Sequence, residues 1–155
     1  MAARAYDSLR VRVAAVLMHE GRLVLVRHRA GRATYHLLPG GGVEVGETLG
    51  DALGREILEE TGLRYRLVRP LFLSDTIDPT GGRHIVNITF LGEIVGGELT
   101  APSNDPRIEA VEVVDPEILP TLDLRPPIAA PLLEAIRSGF TGDTHYLGSL
   151  WVEDR

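Results

Sequence analysis

The sequence predicts an α/β domain, and three observations predict it. Strand-like apolar segments recur along the 155 residues, and only two stretches carry helix start and stop signals. Gly and Pro turn pairs separate these segments. No internal repeat, low-complexity tract or linker divides residues 1–155, which read as one domain large enough for a core.

The elements follow in order. Leu9 to His19 mixes Val11, Val13, Ala15, Val16 and Leu17 in a strand pattern, and Glu20-Gly21 turns it into a second strand, Arg22 to Arg27, so the pair reads as a hairpin. His36 to Leu38 leads into Pro39 and three glycines, which cannot be helix and are poised for unusual backbone angles. Thr48 with Asp51 starts a helix of about fourteen residues that Gly62 stops. Gly50 and Gly54 each weaken its propensity by about 1 kcal/mol, a deficit that packing must offset. Tyr65 to Ser74 is a strand broken at Pro70, and Asp78-Pro79 and Gly81-Gly82 are turn signals. His84 to Leu91 alternates as a strand, with Gly96-Gly97 read as closing a further hairpin. Pro102 to Pro106 is loop and Ile108 to Val114 strand. Pro126-Pro127 opens a helix, Ile128 to Ser138, that Gly139 ends. Beyond Phe140 no element is assigned, and LGSLWV is open to three readings: a sheet edge, a lid or a contact within a homodimer.

Composition narrows the function. Lys and Arg total 16 against 22 Asp and Glu, a net charge of −6, which argues against a broad grip on nucleic acid. Small anionic ligands remain open if a local cation or an Arg pocket receives them. The chain has no cysteine, hence no disulfide and no thiolate metal site, in keeping with a reducing cytoplasm. MAARAYDSLR lacks the apolar run of a signal peptide, and no stretch of about 18 apolar residues exists, so the reading is a cytoplasmic protein with no membrane partner.

The most informative segment is GGVEVGETLGDALGREILEETGL, Gly41 to Leu63. At about 100° per residue, Glu56, Glu59 and Glu60 span an arc of roughly 100° that overlaps the apolar stripe of Leu49, Ala52, Leu53 and Ile57. Carboxylates that close and partly shielded repel one another unless they protonate or hold a cation. Oxygen-only ligands suit Mg²⁺, Mn²⁺ or Ca²⁺.

These residues also carry a resemblance. Gly41, Glu47, Arg55, Glu56, Ile57, Glu59, Glu60, Gly62 and Leu63 match in full the spacing of the Nudix box, with Pro39-Gly40 as its lead-in, and the chain resembles a minimal Nudix domain over nearly its whole length. The resemblance implies an α/β/α sandwich around a mixed β-sheet and Mg²⁺- or Mn²⁺-dependent hydrolysis of a diphosphate linked to another group, usually a nucleoside. It places Glu56, Glu59, Glu60 and the carbonyl of Gly40 as metal ligands, Glu59 or Glu60 doubling as base, with Arg55 and its ion-pair partner Glu47 holding the box together. A base from a later loop is a further expectation, with Glu109, Glu112 and Asp105 as candidates.

Arg27 and Arg29, at the end of a strand facing the glycines, suit phosphate oxygens. His28 and His36 read as strand packing and Glu44 as exposed loop. Pro79, sixteen residues after Leu63, resembles a mark of ADP-ribose hydrolases, so ADP-ribose or a nucleotide sugar stands ahead of a nucleoside triphosphate. Base stacking would fall to Phe72, Phe90, Tyr35 or Trp151. The alternative is a nucleotide-sensing Nudix domain without hydrolysis. An isomerase of isopentenyl diphosphate would want the cysteine this chain lacks.

Overall fold

The computed structural model describes residues 6–100 and 104–153. Its first strand, β1 (Tyr6–Val16), organises the rest. Val13, Ala15 and Leu17 pack with Ala52, Leu53 and Ile57 of α1 (Leu49–Thr61). The intervening Ala14 and Val16 pack with Leu132 and Leu133 of α2 (Ala129–Arg137). Because successive strand residues face opposite sides, this apolar run is buried twice, one helix on each face. The architecture is the expected α/β/α sandwich on a mixed sheet.

That sheet has the order β5-β1-β7-β6-β9. Here β5 is Gly40–Gly42, β6 Leu63–Ile77, β7 Gly82–Gly97 and β9 His145–Ser149. β1 pairs antiparallel with β5 and parallel with β7. β6 and β7 form a long hairpin turned at Asp78 to Gly81, where Asp78 Oδ1 accepts from Thr80 N at 2.8 Å. β6 does not break at Pro70. Three register shifts, one of them between Pro70 and Phe72, absorb the missing N–H and keep the strand continuous. β9 runs parallel to β6 at the sheet's edge, so within LGSLWV the residues Leu147 to Ser149 are edge strand.

The second sheet is built on β3 (Arg22–Ala30), with β2 (Met18–His19) and β4 (Ala33–Leu37) on one side and β8 (Ile108–Val114) on the other. This corrects the first hairpin. Only Met18 and His19 pair back on β3, since the chain leaves the first sheet at Leu17 before turning through Glu20 (φ 52°) and Gly21 (φ 78°), the left-handed pair that a two-residue hairpin turn needs. Gly96-Gly97 likewise turns no hairpin: Gly97 pairs with Leu63 and ends β7. Pro102 lies outside the described residues.

α1 starts and stops where its caps predict. Thr48 Oγ1 accepts from Asp51 N at 3.1 Å, and Gly62 (φ 75°) returns its N–H to Leu58 O. Its two glycines face Tyr65, whose hydroxyl donates to Gly50 O at 2.7 Å and whose ring would stand 3.2 Å from a Cβ on Gly54. Leu49, expected in the apolar stripe, is 37% exposed at the helix's first turn, while Glu60 is only 7% exposed.

Candidate functional site

Two of the three glycines of β5 leave no room for a side chain. A Cβ on Gly40 would lie 2.0 Å from Val13 O, and one on Gly41 2.4 Å from the carboxyl carbon of Glu56. Ala15 N donates to Pro39 O and Val43 N to Val11 O, both at 2.9 Å. With a period of two, Gly41 also turns to β1, which leaves Gly40 and Gly42 presenting their backbone groups on the free edge, toward α1. Gly40 N donates to Glu60 Oε1 at 2.8 Å, and Gly42 O accepts from Arg55 Nη2 at 3.2 Å. The glycine edge and the acidic helix face are thus stitched together.

Arg55 completes the stitch. Its Nε and Nη2 fork onto the two oxygens of Glu47 at 2.9 and 2.8 Å, and Nη1 donates to Glu56 Oε1 at 2.8 Å. Glu47 also accepts from Glu44 N at 2.9 Å. Its carboxyl is held down to about 2, chiefly by the Arg55 hydrogen bonds. The Arg55 guanidinium is correspondingly raised, first by Glu47 and then by Glu56. Glu59 is 56% exposed on its side chain, with an oxygen 3.9 Å from Arg55 Nη1.

Glu60 is the unusual group. Burial pushes its carboxyl up to about 7, and the charges of Glu56 and Asp105 push the same way, while the Gly40 N–H and Arg12 oppose them. Arg12, half-buried on β1, donates to Leu38 O at 3.1 Å; burial lowers its pKa against the pull of Glu60 and Glu56.

An open cleft of about 460 Å³ joins these groups. Gly40, Gly41, Glu56, Glu59 and Glu60 form one side, Arg10 and Arg12 of β1 and Tyr35 and His28 of the second sheet the other, with Asp105 and Arg107 at its rim. Asp105 is held down to about 2, first by its hydrogen bonds from Arg107, whose Nη2 is 2.6 Å away. Burial lowers His28, and Arg107 adds to it. Arg125 lies over the Tyr35 ring at 4.4 Å.

Of the residues singled out from sequence, Gly40, Glu56, Glu59, Glu60 and Asp105 meet at the cleft, and Arg55 and Glu47 stand behind it. Arg27, Arg29, Glu109 and Glu112 do not reach it. Arg27 and Arg29 alternate with the cleft residue His28 along β3 and Glu109 follows Ile108 in β8, while Glu112, beyond the register shift, pairs with Leu25 on the face of Arg27, so all four point off the other face. There Arg27 Nε donates to Glu109 at 2.9 Å and Arg29 Nε to Glu109 at 2.8 Å, Arg27 also bonds Glu112, and buried His36 meets Glu112 at 2.8 Å. Sequence reasoning missed Arg10, Arg12 and Arg107, whereas Tyr35, one of its stacking candidates, does line the cleft. The available signal was Arg10 and Arg12 alternating with Val11 and Val13 in an otherwise apolar strand.

The donor set fits a hard divalent cation: a desolvated carboxyl beside a second carboxylate, next to an edge residue whose carbonyl faces the same way. Among the described residues no three acidic or His side chains are already gathered as a metal cage, since Glu56 turns to Arg55 and Glu59 to solvent.

A family model described as the NUDIX domain matches residues 8–136. This chain belongs to the Nudix family. Among its relatives, an ADP-ribose pyrophosphatase of Methanocaldococcus jannaschii is 46% identical over 66 residues, covering 41% of this chain and 38% of that protein. The Nudix domain here thus matches well under half the length of that curated relative. A NUDIX hydrolase from Nitrosomonas europaea superposes with a TM-score of 0.72 at 24% identity, covering 85% of this chain and 90% of the other. A MutT NUDIX hydrolase from Burkholderia pseudomallei gives 0.65 at 30% identity, covering 84% and 98%. Among the described residues of the Nudix domain, no helix is long and apolar enough to cross a membrane.

Proposed function

We propose that this Nudix domain hydrolyses the diphosphate linkage of a nucleoside diphosphate derivative with Mg²⁺ or Mn²⁺, ADP-ribose or a nucleotide sugar ahead of a nucleoside triphosphate. The observation that carries the reading is the buried Glu60 carboxyl at about 7, held on Gly40 N–H and facing Glu56. An acid held this way is only partly ionised near neutral pH, and a cation beside it would complete the ionisation. The name of the Methanocaldococcus jannaschii relative, an ADP-ribose pyrophosphatase, supports the substrate order.

Glu56, Glu59, Glu60 and the Gly40 carbonyl would hold the cation, which when bound neutralises the diphosphate and lowers the pKa of water. The chain's own residues do the rest. Arg55 and Glu47 fix the glycine edge against α1, so the ligands are organised before substrate arrives. Arg12, tied to Leu38 O, offers positive charge across the cleft to phosphoryl oxygens. Asp105, ionised and paired with Arg107, is the candidate carboxylate from outside the box that lies at the cleft, though a group held down to about 2 is a weak base while that pairing lasts.

The test is a panel of ADP-ribose, a nucleotide sugar and a nucleoside triphosphate with Mg²⁺, the products identifying the bond cut. Turnover of the first two at a higher kcat/KM is expected, with Glu60→Gln slower by about a hundredfold or more. Binding without turnover on the whole panel would leave the sensor reading in its place.

A further inference from the structure

The cleft is largely divided by charge: Glu56, Glu59 and Glu60 on the α1 side, Arg10 and Arg12 on the β1 side, with the pair of Arg107 and Asp105 before β8. Two of these arginines are engaged, Arg12 with Leu38 O and Arg107 with Asp105. Arg10 is different. It is exposed at the mouth and, among the described residues, forms no hydrogen bond, ion pair or ring contact. It shares a face of β1 with Arg12 and is fixed by pairing with Ile85, which also lines the cleft.

Position sets what Arg10 can touch. Gly40, where Glu60 is held, pairs with Ala14. At about 3.4 Å per residue, Arg12 stands roughly 7 Å and Arg10 roughly 14 Å along β1 from that pair. Arg12 is therefore the β1 arginine nearer the acids, and Arg10 is the next one along the same cleft.

Resting on the diphosphate reading above, we infer that Arg10 is a substrate-binding residue that grips the phosphoryl group distal to the one attacked and so selects diphosphates over monophosphates. A guanidinium with all its donors open forks onto phosphate oxygens without first breaking another bond.

The experiment pairs two readouts on wild type, Arg10→Ala, Arg10→Lys and the control Arg22→Ala, an exposed arginine of β3 that does not line the cleft. The first is calorimetric binding of α,β-methylene-ADP with Mg²⁺, and the second is KM and kcat on ADP-ribose. Arg10→Ala should weaken the analogue and raise KM about tenfold with kcat within about threefold, Arg10→Lys should recover part of the loss, and Arg22→Ala should do neither. An unchanged Kd and KM in Arg10→Ala, or an equal shift in Arg22→Ala, overturns the assignment while leaving hydrolysis intact. Wild-type binding without turnover overturns hydrolysis instead, and the Arg10 assignment then stands or falls on the Kd values. Failure of wild type to bind or cut overturns both.

Discussion

At the scale of single residues, the cleft's acidic side is set by the burial of Glu60 and the close approach of Gly40 and Gly41. Glu60 carries a stability signature whose sign follows from its folded pKa of about 7. Between about pH 4.5 and 7 the folded chain binds more protons there than the unfolded one, so stability falls as pH rises through this window, and above it the full cost is present. Metal-free Glu60→Gln should therefore gain on wild type by about 3 kcal/mol, or about 5–10 °C in Tm, between pH 4.5 and pH 8 in calorimetric melts. Equal pH slopes would refute the shift. The two glycines separate fold from chemistry. Gly40→Ala drives a Cβ into the Val13 carbonyl and should cost about 3 kcal/mol or more by denaturant titration. Gly41→Ala meets the movable Glu56 carboxylate and should cost activity, about tenfold or more in kcat/KM, with a smaller loss of stability.

At the scale of elements, α1 and β5 act as one unit through Arg55. Arg55→Ala removes bonds to Glu47, Glu56 and Gly42 and should lower stability by about 2 kcal/mol at neutral pH. Because Glu47 is depressed to about 2, its contribution is present above its unfolded pKa, and the deficit of the variant should shrink as pH falls from about 4.5 to about 2. A deficit constant across acid melts would count against the clamp. Elements differed in how far the sequence revealed them. α1 was legible because Thr48 and Gly62 act within a few residues of themselves, as did the turn at Asp78. The division of the strands into two sheets was not, since β3 pairs with β8 more than 80 residues away, a choice no local pattern encodes. The same blindness misdirected Arg27 and Arg29: their place at a strand end was visible, their facing was not. That Glu56, Glu59 and Glu60 share one cleft was legible because helical spacing sets their directions.

At the scale of the whole molecule, the proposed cation binding would be linked to folding stability, since its donors come from β5 and α1 and are brought together only by folding. Added Mg²⁺ at about a hundred times its Kd should raise stability by about 2.7 kcal/mol, and Glu60→Gln should blunt that gain. A Tm indifferent to Mg²⁺ and Mn²⁺ in differential scanning fluorimetry would contradict the proposed donor set. Strand β1 adds a constraint on how the chain can change length. Its odd-numbered residues from Val13 answer to α1 and its even-numbered ones to α2. Inserting one amino acid after Val11 leaves Arg10 where it was but puts every later side chain out of phase, so that each half of the strand meets the wrong helix and Arg12 swings away from Glu60. A two-residue insertion restores the alternation yet slides β5 against its partner. Length variation among such chains is therefore expected in the turns, at Glu20-Gly21 or Asp78 to Gly81, and not within this strand.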